Sequence, residues 1–238
     1  MKPVDKLAVA LDVPSLEQAR TLAEALAGRV GVFKVGLELF VAHGPQAVEA
    51  ARSGGQQVFL DLKVHDIPRT AAAAVRSAGR LGARFVTLHA LGGPAMIAAA
   101  REAAEEFGAE RPQLLAVTVL TSHDASELAR IGLAGDPADE VPRLARMALD
   151  AGADGLVASA QEARELRALA GPGAHLVTPG IRPAGSASGD QKRVATPADA
   201  IRDGASLLVI GRPIVKADDP RAAADAILEE MASAGTTS

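Results

Sequence analysis

Short apolar runs recur along the chain, separated by Ala-rich stretches with helical periodicity. The runs are KLAVALD (6–12), VFKVGLEL (32–39), QVFLDLK (57–63), RFVTLHA (84–90), LLAVTVL (114–120), GLVAS (155–159), HLVTPG (175–180) and SLLVIGR (206–212). Most are nearly continuous in Val and Leu rather than alternating, which is the pattern of parallel strands buried on both faces. The intervening stretches carry helix boundaries. Ser15 with Gln18 and Ser159 with Glu162 fit capping boxes. Thr196-Pro197 and Asp219-Pro220 place a cap before a proline suited to a first helical turn. Gly82, Gly108, Gly152 and Gly171 follow helical stretches and suit C-terminal caps.

Eight strand-like runs, each followed by a helical stretch, predict an α/β fold, a (β/α)8 TIM barrel. An open doubly wound sheet is the alternative, but LDVPSLEQ after the first run is not the Gly-rich turn that such sheets often carry. The longest interval, 121–154, reads as two helical pieces, roughly 124–133 and 138–151, split by GDP. The expectation is one domain over 1–238. Residues 183–190, rich in Gly, Ser and Ala, read as a mobile phosphate lid, and 233–238 as a frayed tail. A plain surface loop is the simpler reading of 183–190.

Composition narrows the function. The chain has 238 residues, 48% of them hydrophobic, enough for a full core. It has no cysteine, so disulfides, thiolate metal sites and a Cys nucleophile are excluded, in keeping with a reducing, cytoplasmic setting. The first apolar run is too short for a signal peptide, and no stretch approaches the roughly 20 apolar residues of a membrane helix. Net charge is −4, with no basic block, and the only aromatics are five Phe. Neither a phosphate-backbone footprint nor a base-stacking platform is visible, so nucleic acid is not an expected partner.

Barrel enzymes of this kind react at the C-terminal ends of their strands. There the sequence places Asp12, Lys34, Asp61, Lys63, Asp66, His89, Thr121 and Ser122. By alternation Phe59, Asp61 and Lys63 share one face, interior if Leu60 and Leu62 pack on helices. Each has a plainer reading. Asp61 and Lys63 could form a strand-end salt bridge, contributing about 0–1 kcal/mol. Asp66 could cap the helix after Ile67-Pro68. Lys34 could snorkel to solvent, although its apolar neighbours argue against that. The loops after the seventh and eighth runs, PGIRPAGSASGDQKR and IGRPI, carry Arg182, Gly211 and Arg212, suited to a phosphate. The five histidines show no metal-binding spacing, and His89 reads as hydrogen-bonded support.

Taken together, ALD (10–12), FKVG (33–36), DLKVHDIPRT (61–70), VTVLTS (117–122), TPGIRP (178–183), GDQKR (189–193) and VIGRP (209–213) resemble the orotidine 5′-phosphate decarboxylase family. The resemblance spans the chain from first strand to last. It implies a homodimeric barrel that converts orotidine 5′-phosphate to UMP and CO2 in pyrimidine biosynthesis, with no metal or organic cofactor. It also implies roles. Lys63 would donate a proton to pyrimidine C6, within a charged array of Lys34, Asp61 and Asp66. Asp66, Ile67 and Thr70 would come across the dimer interface. Asp12 and Lys34 would hold ribose hydroxyls, while Thr121, Ser122 and Pro179 would lie by the base. Gln191 would bridge lid, base and phosphate, and Arg182, Gly211 and Arg212 would bind phosphate.

Three rivals stand beside this reading. A Mg2+-dependent sugar-phosphate decarboxylase or synthase would share the D-x-K-x-x-D pattern, but HDIPRT and GDQ argue against it. A Schiff-base aldolase would need a neutral lysine, and flanking carboxylates are the wrong tuning for one. A phosphate-binding scaffold without activity would bind nucleotide and not turn it over.

Overall fold

The computed structural model describes residues 2–183 and 195–234. Eight parallel strands close into a barrel in chain order: β1 (Leu7–Ala10), β2 (Val32–Gly36), β3 (Gln57–Val64), β4 (Phe85–His89), β5 (Gln113–Val117), β6 (Gly155–Val157), β7 (His175–Thr178) and β8 (Leu207–Ile210). Closure is made by β1 on β8, with Leu7 opposite Leu208. This is the (β/α)8 barrel that the repeating apolar runs predict, and not an open sheet.

The helices are α1 (Leu16–Ala25), α2 (Leu37–His43), α3 (Pro45–Ala51), α4 (Pro68–Arg80), α5 (Gly93–Glu105), α6 (Ala125–Arg130), α7 (Pro137–Asp150), α8 (Ala163–Ala170), α9 (Pro197–Arg202), α10 (Arg212–Val215) and α11 (Pro220–Ser233). Their ends follow local chemistry. Thr196 accepts from the Asp199 N–H, and Asp219 accepts from the N–H groups of Arg221 and Ala222, each capping a helix that opens on proline. Ser159 and Glu162 make a full capping box on a short 3-10 turn before α8, whereas Ser15 makes its hydrogen bond to Gln18 N–H alone. Gly82 and Gly171, which end α4 and α8, take the left-handed backbone that glycine adopts without a Cβ penalty.

Two expectations need correction. Leu37 to Leu39 continue an apolar run but belong to α2, because Gly36 ends β2 and stands at the helix N-cap. A short apolar run does not distinguish strand from helix by period alone. Asp66 does not cap α4 in the usual sense. Ile67 is the N-cap residue, and the Asp66 carboxylate accepts from the Ile67 N–H, 2.7 Å away, instead of from a donor inside the first turn.

Apolar side chains separate into two bodies. The larger lies between the strands and the helices and includes Leu7, Phe33, Leu60, Val86 and Leu156. The smaller fills the barrel interior with Ala8, Ala10, Val32, Phe59, Phe85, Leu115, Val177, Leu207 and Val209. Strand alternation then dictates what lies above this plug. The next inward positions toward the C-terminal ends are Asp12, Lys34, Asp61, Thr87, Val117, Val157, Pro179 and Gly211. The apolar filling therefore stops at a layer that is charged at β1–β3, polar at β4 and apolar on the β5–β7 side.

Candidate active site

A row of alternating charges runs across the first three strand ends. Lys34 Nζ lies 3.2 Å from Asp12 Oδ1 and 3.5 Å from Asp61 Oδ2, and Lys63 Nζ lies 2.9 Å from Asp61 Oδ1. The row dips into the barrel at its centre: the side chains of Lys34 and Asp61 are 10% and 14% exposed, those of Lys63 and Asp12 32% and 56%. Burial pushes the Asp61 carboxyl up. The Lys34 and Lys63 ammonium groups and hydrogen bonds from Lys63 and Thr87 outweigh it and hold the group below its ordinary value. Asp61 is thus an anion between two cations. Gly36 makes room for this row, since a Cβ there would sit 2.9 Å from Lys34 Nζ and 3.4 Å from Asp12 Oδ1.

Lys63 reaches its place through a break in the sheet. Between Leu60↔Val86 and Val64↔Leu88 the pairing of β3 with β4 slips, so four steps on β3 span two on β4. At the slip Lys63 has a φ of 49°, the only non-glycine residue with positive φ among those described. A side chain in that left-handed region costs on the order of 1–3 kcal/mol and persists only where its surroundings enforce it. Here the Lys63 N–H, lifted off the ladder, donates to Thr87 Oγ1 at 2.8 Å. The Thr87 hydroxyl in turn donates to Asp61 Oδ1 at 3.1 Å.

A cavity of about 210 Å³ opens beside the row. Lys34, Asp61, Lys63 and Thr121 supply polar wall, and Phe59, Val117, Leu120, Val157, Pro179 and Val209 the apolar wall. One side is therefore charged and the other suits a flat, weakly polar group. A larger opening of about 470 Å³ lies at the other end of the barrel, among Gly28, Gly31, Gln56, Arg84 and His175. It holds none of the charged row and sits at the end of the strands where barrels of this class do not place their chemistry.

The remaining candidate residues fall in three places. Gly211 adjoins the row, since a Cβ there would lie 3.8 Å from Asp12 Oδ2. Arg182 follows β7 and its backbone N–H bonds to Ala195 O, while Arg212 opens α10 after β8. Ser122 is exposed, one residue beyond cavity-lining Thr121. Asp66, Ile67 and Thr70 stand on the outer rim, all exposed and away from the chain's own cavity. Gln191 and the proposed lid residues 184–190 lie outside the described residues, as do 235–238 of the tail.

His89 departs from expectation. Its Nδ1 is buried and finds no hydrogen-bond partner among the described residues, and its ring packs against His65 with centroids 5.5 Å apart. Burial first, then the nearby His65, Lys63 and His123, push its pKa down, so the ring is neutral. Sequence reading missed Thr87. Its signal was a polar residue at an inward position of FVTLH, two residues after inward Phe85.

The family model described as orotidine 5′-phosphate decarboxylase / HUMPS family matches residues 5–227. The chain belongs to this family. Orotidine 5′-phosphate decarboxylase from Anaeromyxobacter sp. (strain K) is 54% identical over 227 residues, covering 95% of this chain and 98% of the relative. That from Thermobifida fusca is 51% identical over 232 residues, covering 97% of each. Among solved structures, orotidine 5′-phosphate decarboxylase from Lactobacillus acidophilus superposes with a TM-score of 0.83 at 38% identity, over 94% of this chain and 98% of that one. The enzyme from Pyrococcus horikoshii OT3 superposes with a TM-score of 0.78 at 25% identity, over 95% and 99%. Family membership thus spans the whole barrel, including the strand ends that carry the charged row.

Proposed function

We propose that this protein decarboxylates orotidine 5′-phosphate to UMP and CO2, the last step of pyrimidine nucleotide synthesis, and that Lys63 is the group that makes the reaction possible. The observation that carries the reading is the row Asp12–Lys34–Asp61–Lys63 at the mouth of a cavity with one apolar side. Near-full-length relatives that bear this enzyme's name support it.

The chemistry follows from charge. When the C6–carboxyl bond breaks, its electron pair stays on C6 in the plane of the ring, where the ring π system cannot delocalise it. A fixed cation beside that carbon stabilises the developing charge, most strongly where water is excluded. The Lys63 ammonium then transfers a proton to C6, and solvent returns one to Lys63. Asp61, 2.9 Å from Lys63 Nζ, pairs with the ammonium and fixes its position. In this reading Asp12 and Lys34 hold ribose hydroxyls, Thr121, Ser122 and Pro179 flank the base, and Arg182, Gly211, Arg212 and Gln191 engage the phosphate. Asp66, Ile67 and Thr70 complete a second copy's site across a homodimer interface, and the setting is cytoplasmic. Their exposure on the rim supports that assignment. Phosphate binding far from C6 can contribute to lowering the barrier if it is realised as the site closes.

The test is an ultraviolet assay of orotidine 5′-phosphate consumption by purified protein, with and without EDTA. The expected outcome is formation of UMP at a rate indifferent to the chelator. Activity abolished by EDTA and restored by Mg2+ would instead indicate the enediolate chemistry of a sugar-phosphate enzyme.

A further inference from the structure

Thr87 is fully buried, yet it has no apolar duty that valine would not perform equally well. Its hydroxyl has one proton to give and lone pairs to receive, and both capacities are used on the charged row. It accepts from the Lys63 N–H at 2.8 Å and donates to Asp61 Oδ1 at 3.1 Å. The direction is forced, because a backbone N–H only donates and an ionised carboxylate only accepts. The contact also occurs at the one place where it is needed. Thr87 stands on β4 between Val86 and Leu88, opposite the slip in β3. The Lys63 N–H has left the strand ladder there, and a buried donor without a partner is costly. The same Oδ1 that receives the Thr87 hydroxyl receives Lys63 Nζ at 2.9 Å.

We propose that Thr87 is a positioning residue, whose hydroxyl sets the left-handed backbone of Lys63 and the orientation of the Asp61 carboxylate together. Lys63 and Asp61 are thereby locked as a pair from both ends: through the main chain of one and the side chain of the other. The inference rests on the reading of Lys63 and Asp61 as the reacting pair. A carboxylate freed from Thr87 can rotate, and Nζ follows it away from the reacting carbon. Small misplacements of this kind are enough to cost large factors in rate.

The test compares Thr87→Val, which removes the hydroxyl at nearly constant volume, with Thr87→Ser, which keeps it. For Thr87→Val the expected result is a kcat lower by about 10- to 100-fold, with KM within a few fold of wild type. Thr87→Ser is expected within a few fold of wild type in both. A second readout needs no substrate: the Asp61 carboxyl titration followed by 13C NMR in the free protein. Asp61 faces Lys34 from β2, Lys63 on its own strand, and Thr87 and His89 from β4, with Asp12 beyond Lys34. Thr87→Val removes one favourable contact from this set, so the titration moves to higher pH, and Thr87→Ser leaves it in place. An Asp61 titration unchanged in Thr87→Val overturns the inference, whatever the activity. So does an unchanged kcat, or equal losses in both variants that track a fall in Tm, which would indicate packing alone. If the wild-type protein does not turn over orotidine 5′-phosphate, the functional reading fails, and the NMR titration still decides whether Thr87 sets the pair.

Discussion

At the scale of single residues, the site depends on charges placed where isolated charges would be unstable. Lys34 and Asp61 are nearly buried and tolerable only because each touches an opposite charge. Lys63 is different: it is a third exposed, held through Asp61 and a left-handed turn. Its removal should therefore injure chemistry more than folding. Lys63→Ala is expected to retain UMP binding by calorimetry and to lose turnover by at least about 10³-fold, the scale of removing a key electrostatic contact plus an acid. Near-normal turnover in that variant would refute the role given to Lys63. Much of this was legible in the sequence. DLKVHDIPRT places Asp61, Lys63 and Asp66 within six residues after an apolar run, and alternation puts Asp61 and Lys63 on one face. The left-handed lysine was not legible, because nothing in lysine's chemistry announces that conformation. Thr87 is easily overlooked, since threonine is an ordinary strand former and its hydroxyl stands out only once the inward face of FVTLH is identified.

At the scale of elements, the two ends of the barrel have separate tasks. The N-terminal end is stapled by Asp154, just before β6. Its Oδ1 accepts from Arg101 of α5 at 2.8 Å and from Arg111 at 2.7 Å, and its Oδ2 accepts from Arg111 and from the Leu114 N–H of β5 at 2.8 Å. Burial pushes this carboxyl up. The Arg111 and Leu114 hydrogen bonds and the Arg111 and Arg101 charges more than offset that, and it titrates below its ordinary value of 3.8. A group depressed on folding stabilises the native state above its unfolded-state pKa and ceases to do so as pH falls through its folded one. Asp154→Ala leaves Arg101 and Arg111 with only the half-exposed Glu105 as carboxylate partner, leaves the Leu114 N–H without its acceptor, and is expected to cost about 1–3 kcal/mol in chemical denaturation at neutral pH. The deficit should shrink once pH drops below about 4, as wild type loses the same interaction. Turnover per folded molecule should be unchanged, because the staple and the charged row lie at opposite strand ends. The element boundaries show the limit of pattern reading. Every strand was found, but Leu37–Leu39 read as strand and fold as α2, because a glycine, not a change of hydrophobicity, ends β2.

For the whole molecule, the exposed apolar side chains are informative by their position. Four of the five large ones among the described residues, Leu37 and Val41 on α2, Ile67 before α4 and Leu91 after β4, stand on consecutive barrel units, Val41 79% and Ile67 61% exposed; the fifth is Ile131 after α6. Asp66 and Thr70 are exposed alongside Ile67. Ile67 and Leu91 line one shallow opening beside Asp66, and exposed apolar side chains there fit the proposed association of two copies. Ile67→Asp combined with Val41→Asp is expected to convert a dimer to a monomer in sedimentation velocity and to abolish turnover with little loss of secondary structure. Retained dimer, or a fully active monomer, would remove the basis for a shared site. Mixed subunits offer a further check on the same idea. Lys63→Ala and Asp66→Ala proteins, each impaired alone, should recover part of the activity when exchanged into heterodimers. This surface could not be deduced from hydropathy, because single exposed Leu, Val and Ile residues in a linear sequence look like any others.

Ring closure has a consequence in time. Leu7 pairs with Leu208, so about 200 residues separate the two strands that complete the barrel. At roughly 5–20 residues per second of synthesis, β1 emerges about 10–40 s before the partner that covers its second edge. During that interval LAVA presents an unpaired apolar edge of the kind that invites wrong pairing. The charged row is affected too, since Asp12 lies two residues past the end of β1 and Gly211 follows β8. Each new chain thus gains its site late, when the last strand arrives, and the yield of active protein during synthesis should be governed by how well the early edge is protected while it waits.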